Sequence, residues 1–408
     1  MITGVILTAL IMAGTGAAFL SLPGTVELLL LTLAGLLPAR RRSGGSTAHF
    51  RLAIVVPSHN EELNIARCVK SLRSVSQPGV ELAVVVVADN CTDSTAEVAR
   101  QAGARVLVRF HAEERGKGYA LDFAFQNLLP ECFDAFLVVD ADSEVAPNFV
   151  QAMTGAFRAG ADAAQCRYIV RNSGDSVRTR LMSVALYGFN VLRPRGRDRL
   201  GLSCGIYGNG FGLSADTLRK VPYTAASVVE DLEYHLALVR AGRRVVFVDE
   251  ALVYGDMPVA GAGVKTQRAR WEGGRFRMMA EKTPLLAGEV LRGRVALFEP
   301  LLDLLLLPLA FHVVLLLAAT ATPFWLARGL GLAGLATVVL HLFAAIRVGG
   351  GGAREVAVLL AAPFYVLWKL MLIPRLLRTS KSGAAWVRTE RAGTETALPP
   401  GKAIEEKR

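Results

Sequence analysis

Residues 1–38 contain one charged side chain, Glu27, and residues 301–346 contain only Asp303 and Arg328. Runs of that length with so little charge belong in hydrocarbon, where a helix pairs its own backbone groups. Residues 40–295 are ordinary water-soluble sequence between them. The chain-wide figures, 52% hydrophobic and 20% charged, therefore average two unlike parts. Its 408 residues allow two or three domains. A multi-pass protein of the cell (inner or plasma) membrane is expected, carrying one sizeable soluble domain.

The net charge of +11 does not point to nucleic acid. Much of it sits where apolar runs end, at Arg40, Arg41 and Arg42, at Arg347 and Arg354, and at Arg375, Arg378 and Lys381. The positive-inside rule places those ends and the soluble domain in the cytoplasm. No stripe of alternating aromatic and basic residues runs through the chain. Cys68, Cys91, Cys132, Cys166 and Cys204 are scattered without metal-site spacing, so free thiols in a reducing compartment are expected.

The first apolar run is interrupted at Ser21-Leu22-Pro23-Gly24. This predicts a helical hairpin with both ends cytoplasmic, with one bent continuation of the first helix as the alternative. No basic residue precedes it and no cleavage-like context follows, against a cleaved signal peptide. Two further spans are expected at 301–320 and 324–346, hinged at Thr322-Pro323. Residues 355–377 are broken at Pro363 and basic at both ends, which predicts a re-entrant or interfacial element with Lys369 at the surface. The expected units are membrane helices over 1–39, a basic linker over 40–50, a soluble domain over 51–282, interfacial and transmembrane helices over 283–378, and a polar cytoplasmic tail over 379–408.

The soluble part alternates strand and helix. Strands are predicted at 52–57, 82–88, 105–109, 135–139 and 163–170, and helices at 62–74, 92–102, 118–129 and 175–192. The run 82–88 is wholly apolar, the mark of a sheet covered on both faces. An α/β domain follows, its mostly parallel sheet joined by crossover helices. Ligands of such sheets bind beyond the carboxyl ends of the strands. There the chain places Pro57, His59, Asn60 and Glu61, then Asp89 and Asn90, then Asp140 and Asp142. Helix capping accounts for each acidic end singly. Their co-occurrence at one edge favours a polar site.

Asp140 and Asp142 lie two apart after the apolar strand Phe136-Leu137-Val138-Val139. Close carboxylates repel unless a proton or a cation intervenes. A hard divalent cation shared with a diphosphate fits; an acidic turn capping the next helix is the alternative. Lys117, in Arg115-Gly116-Lys117-Gly118, reads as a phosphate contact or a basic surface turn. The first strand–helix turn lacks Gly-x-Gly-x-x-Gly, against a dinucleotide cofactor. Arg193, Arg195, Arg197 and Arg199 predict a solvated or headgroup-facing loop. Residues 203–211 are a glycine-rich, strand-like run. Asp231, after Glu230 at a helix start, either complements that helix end or acts as a general base. In Gln267-Arg268-Ala269-Arg270-Trp271, Arg270 suits a diphosphate and Trp271 offers a stacking face. An amphipathic interfacial helix is the other reading.

Taken in order, these segments resemble the membrane-embedded inverting nucleotide-sugar transferases of glycosyltransferase family 2, such as cellulose, chitin, hyaluronan and poly-N-acetylglucosamine synthases. The motifs are Pro57 to Glu61, Asp89, Lys117, Asp140-x-Asp142, Glu230-Asp231 and Gln267-x-x-Arg270-Trp271. The resemblance covers roughly 50–390 and implies a Rossmann-like GT-A fold. It implies that Pro57, His59, Asn60, Glu61 and Asp89 hold uridine and that Lys117 supports the diphosphate. Asp140 and Asp142 would hold the nucleotide and Mg²⁺ or Mn²⁺, and Asp231 would be the base. Glu230, Gln267, Arg270 and Trp271 would line the acceptor and diphosphate side. The implied partners are a nucleotide-sugar, a UDP-sugar by resemblance, a growing polysaccharide and membrane lipids. A lipid-linked or glycolipid acceptor is the alternative, and a silent membrane scaffold or export subunit the rival from another class. The family's usual threonine before Glu-Asp is Val229 here, which bears on acceptor packing. With few spans, a pore would require a homo-oligomer or an export partner.

Overall fold

The computed structural model describes residues 2–40, 42, 48–225, 227, 229–257 and 262–371; of 2–4 and 262–270 it describes the backbone alone. The expected tail and the basic residues Arg375, Arg378 and Lys381 lie outside the described residues.

A helix α1 (Ile2–Leu36) leads into the soluble domain. The domain begins with β1 (Phe50–Ser58), α2 (Ile65–Ser74), β2 (Val80–Asp89), α3 (Thr95–Gln101), β3 (Arg105–Arg109), α4 (Lys117–Leu128) and β4 (Ala135–Val138). It continues with β5 (Glu144–Val145), α5 (Phe149–Arg158), β6 (Ala163–Val170), α6 (Val177–Tyr187), α7 (Arg193–Arg199), β7 (Phe211–Ser214), α8 (Ala215–Lys220), α9 (Glu230–Arg240) and β8 (Val245–Gly255). Then follow α10 (Ala262–Leu291), α11 (Phe298–Leu305), α12 (Leu309–Ala321), α13 (Trp325–Gly349), α14 (Ala353–Ala357) and α15 (Ala362–Leu370).

The eight strands form one sheet in the order β3-β2-β1-β4-β7-β6-β8-β5. β1 to β4 are parallel, β7 runs antiparallel between β4 and β6, and β5 runs antiparallel along β8. Side chains alternate between faces along a strand. Leu52, Ile54 and Val56 of β1 therefore join the core under α2 and α5, and Ala53 and Val55 join the core under α4. Both faces are covered, which explains the unbroken apolar runs. The register aligns the strand ends: Val55 pairs with Val138 and Ser58 with Ala88. Asp140 thus follows level with Pro57, and Asp89 level with His59.

Three expectations are corrected. Helix α1 runs through Pro23 without a hairpin. Ser21 and Thr25 hydroxyls bond carbonyls of their own helix, the kind of compensation that lets a membrane helix tolerate proline. Gly24 serves close packing instead of a turn: a Cβ there would stand 2.7 Å from Leu306. The predicted span 301–320 is broken, with α11 and α12 bent by 80°. Pro308 sits at the break, where its missing N–H ends no ladder. Among the described residues, two helices, Val5–Leu36 and Trp325–Gly349, are long and apolar enough to cross a membrane, and the bent pair would make a third. Finally, Lys369 is buried, pairing with Glu272 at 2.6 Å. Pro363 stands in the first turn of α15, where proline is tolerated.

The predicted basic loop is also a helix. The chain passes from α6 through a π turn (Gly188–Leu192) into α7. Arg193 and Arg197 are buried, not solvated. Arg197 bonds Glu27 of α1 at 2.9 Å, Asp303 of α11 at 2.6 Å, and Glu299. Arg193 also reaches Asp303, and Arg275 of α10 donates to the Asp303 carbonyl. The charges that seemed misplaced in apolar sequence are thus paired where the soluble domain meets α1 and α11.

Candidate active site

The strand ends open into a cleft of about 1740 Å³. Pro57, His59 and Glu61 line it from β1, Asp89 from β2, and Asp140 and Asp142 from the turn after β4. Lys117, Glu230, Asp231 and Trp271 face the same space. Most of the residues expected to form a site are therefore brought together.

Lys117 is the first residue of α4, freed by Gly116 at φ +124°. Its Nζ lies 2.5 Å from Asp140 Oδ1 and donates to the Gly208 carbonyl. Gly208 adopts φ +78°, and a Cβ there would stand 3.4 Å from Asp231 Oδ2 and 3.8 Å from Lys117 Nζ. Glycine is required at this point because the backbone must turn left-handed against two charged groups. Asp140, Lys117 and Asp231 thus surround one short loop. Burial opposes the Lys117 charge, but Asp140, Glu230 and Asp231 outweigh it and raise its pKa.

Glu230 and Asp231 open α9, and Asp231 Oδ1 accepts a bond from the Leu232 N–H at 2.9 Å. Helix start and site coincide here, so the two sequence readings of Asp231 are compatible. Burial pushes both carboxyls up, with Asp231 adding repulsion that carries Glu230 to about 7.

Asp89 caps nothing. Its Oδ1 accepts from Arg109 at 2.8 Å and from Asn90 at 3.0 Å, in a buried pair. One ring nitrogen of His59 lies 2.8 Å from the Asp89 carbonyl. Glu61 accepts from the Asn64 side chain at 2.9 Å. Asn60 has another place: at φ +54° it accepts from the Thr92 N–H at 2.8 Å, tying the end of β1 to the end of β2.

Sequence reasoning missed a clamp behind the two aspartates. Asn209 Oδ1 accepts from the Asp140 N–H at 3.1 Å, and its Nδ2 donates to Ser143 Oγ at 2.9 Å. Gln165 of β6 donates to the Asn209 carbonyl at 2.8 Å and accepts from the Tyr207 N–H at 3.0 Å. A lone amide in an apolar strand was the available signal, since buried polar groups need partners.

Asp140 and Asp142 offer hard oxygen ligands on one wall of the cleft. Among the described residues, no group of three or more His, Cys, Asp or Glu could hold a metal. That donor set fits a Mg²⁺-type ion, which is commonly held by one or two carboxylates plus substrate phosphates. Gln267 and Arg270 lie on α10, but their side chains are outside the described residues. Trp271, next on that helix, packs by Val170, Met182 and Met257 at the cleft wall.

Known proteins share this architecture. The mannosyltransferase PcManGT from Pyrobaculum calidifontis, solved with GDP-Man and Mn²⁺, aligns with a TM-score of 0.54 and 17% identity. The alignment covers 92% of this chain and 97% of that one, and shows a common fold. The probable glycosyltransferase YdaM of Bacillus subtilis is 23% identical over 235 residues, 55% of each chain. The 4,4'-diaponeurosporenoate glycosyltransferase of Staphylococcus aureus is 38% identical over 95 residues, 23% of this chain and 24% of that one. The chain thus spans about half the length, or less, of these curated relatives. The family described as Glycosyl transferase family 2 matches residues 53–216, and Glycosyl transferase family group 2 matches residues 135–349. The second match takes in more than half of the chain and both aspartate motifs, and the chain belongs to glycosyl transferase family group 2.

Proposed function

We propose that the chain is a membrane-bound, inverting hexosyltransferase that moves a sugar from a nucleotide-sugar, in the first instance a UDP-sugar, to an acceptor hydroxyl. The observation that carries this reading is the convergence of Asp140, Lys117 and Asp231 around Gly208 in one cleft. The two long apolar helices support a place in a membrane, and the basic residues that flank the apolar runs favour a cytoplasmic catalytic domain.

In this mechanism Asp231 takes the proton of the acceptor hydroxyl. The oxygen bonds to the anomeric carbon as the bond from that carbon to the diphosphate oxygen breaks, and the nucleoside diphosphate leaves. One in-line displacement inverts the centre. Pro57, His59, Glu61 and Asp89 line the nucleotide end, and Asn60 holds their loop. Lys117 fixes Asp140 and places positive charge beside the departing diphosphate, the form of electrostatic help that usually contributes most. Mg²⁺ or Mn²⁺, held by Asp140 and Asp142, would neutralise charge on the diphosphate. Glu230, Gln267, Arg270 and Trp271 serve the acceptor and diphosphate side. A growing polysaccharide is the acceptor that the resemblance implies, and a lipid-borne hydroxyl is the alternative that the far end of the cleft favours.

A panel of uridine and guanosine sugar donors, assayed for nucleotide release, tests the reading. Asp231→Asn is expected to keep donor binding while turnover falls by about 10²–10⁴-fold. Release with no donor, or full turnover by Asp231→Asn, would overturn it; the first result would favour a silent scaffold.

A further inference from the structure

The cleft does not end where sugar transfer would occur. The same cavity continues between α12, α13 and α15, where Leu309, Val313, Leu335, Val338 and Leu342 line it. Its walls there also reach the outer surface. Leu317, Val339, Phe343 and Leu360 line the cavity and are 52%, 53%, 49% and 83% exposed. This arm is therefore open sideways along apolar helices, not enclosed as a tube. Polar groups line the same cavity as well, Asp231, Tyr207 and Asn209 beside the sheet and Arg193, Asp303, His341 and Lys369 on the helices.

We infer that the apolar arm holds the hydrocarbon chain of a membrane lipid, and that the hydroxyl on that lipid's head is the sugar acceptor. The inference rests on the transferase reading above and names its substrate class. Sugar rings in transit carry hydroxyls that must be hydrogen-bonded once water is removed, and they favour aromatic faces. Leucine and valine supply neither. A hydrocarbon chain needs no partners, and every apolar contact it makes leaves less surface for water. A lipid can enter through the lateral opening without leaving the bilayer, bringing its head to Asp231. Transfer then balances as before: the lipid oxygen bonds to the anomeric carbon, its proton passes to Asp231, and the nucleoside diphosphate departs.

Two measurements on the full chain in phosphatidylcholine nanodiscs and in native membranes test this. The first adds a diazirine-bearing octadecanol to the nanodiscs and maps the labelled peptides. Labelling is expected at 309–317 and 335–343, and the double variant Leu317→Trp/Val339→Trp is expected to lose it by roughly tenfold, since overfilling a packed groove is costly. Both positions are already partly exposed, so the variant is expected to fold, and donor titration checks it. Equal labelling of variant and wild type would overturn the inference. The second follows radiolabelled sugar from donor to product in native membranes. Label in the chloroform-extractable fraction, reduced in the double variant, supports a lipid acceptor; label in a water-soluble polymer overturns it. If no donor releases nucleotide, the transferase reading fails, and the photolabelling alone still decides whether the arm binds a lipid chain.

Discussion

Lys117 Nζ and Asp140 Oδ1 stand 2.5 Å apart, and the same ammonium bonds the Gly208 carbonyl. One cation thus joins the acidic edge of the sheet to the loop that faces Asp231. Beside it lie the carboxyls of Asp140, Glu230 and Asp231, and Asp142 lines the same cleft. A site so charged would repel an anionic donor unless cations accompany it. On the proposed reading, the substrate and its ion complete that charge.

Replacing Lys117 by Met is expected to leave half-buried carboxylates uncompensated. It should reduce kcat/KM by about 10²–10³-fold, as loss of a preplaced charge-stabilising donor does. Lys117→Arg should recover little, because a planar fork cannot meet one carboxylate oxygen and one carbonyl as a compact ammonium does. Nucleotide-release kinetics on both variants check this; near-normal Lys117→Met would confine Lys117 to the surface role.

Asp142→Ala should weaken the donor's metal-dependent binding. Losing even an outer partner of a metal ligand costs about 10–100-fold in affinity, so losing a ligand should cost at least about that. Titration calorimetry with Mn²⁺ reads it directly. Chelator treatment of the unaltered chain should mimic the variant, and heats identical in all samples would remove the pair from metal holding.

Glu230 is carried to about 7 and Asp231 is also raised, by burial first in each case. A base works only when deprotonated, so turnover should rise with pH and level off later than an ordinary aspartate, at about 3.9, would allow. Glu230→Gln removes a negative neighbour of Asp231, while Lys117 and Asp140 remain beside it. Burial and Asp140 are what raise Asp231, so an acidic limb of kcat/KM that belongs to Asp231 should stay in place. A limb that moves to lower pH would assign it to Glu230.

The acidic edge was legible because strand period and strand ends are local properties. Once β1, β2 and β4 were placed, parallel register brought Asp140 level with Pro57 and Asp89 level with His59 without further information. What stayed hidden depends on partners distant in the chain. Arg197 reads as a solvated loop residue until Glu27, 170 positions away, is packed against it. Pro23 reads as a break until Gly24 is seen to seat Leu306 and His312. Lys369 reads as a surface anchor until Glu272 meets it. The Asn209 clamp joins three segments, and no single segment carries its pattern.

The same long-range pairing makes a stability prediction. Glu27, Glu299 and Asp303 are matched by Arg193, Arg197 and Arg275, three charges of each sign around the junction of α1, α7, α10 and α11. Such a cluster contributes little net stability while balanced, because desolvation offsets attraction. Removing one partner strands a buried charge, which typically costs about 3–5 kcal/mol. Arg197→Met should therefore lower the unfolding midpoint in detergent solution markedly, although Met fills much of the vacated volume. Adding Glu27→Gln to Arg197→Met restores neutrality and should recover part of the loss. The recovery separates charge balance from packing, since neither change refills the space that the guanidinium occupied. A single variant as stable as the unaltered chain would mean that these pairs are spectators, and that apolar contacts such as Val184 with Ile346 and Leu192 with Ala344 and Ala345 hold the two parts together.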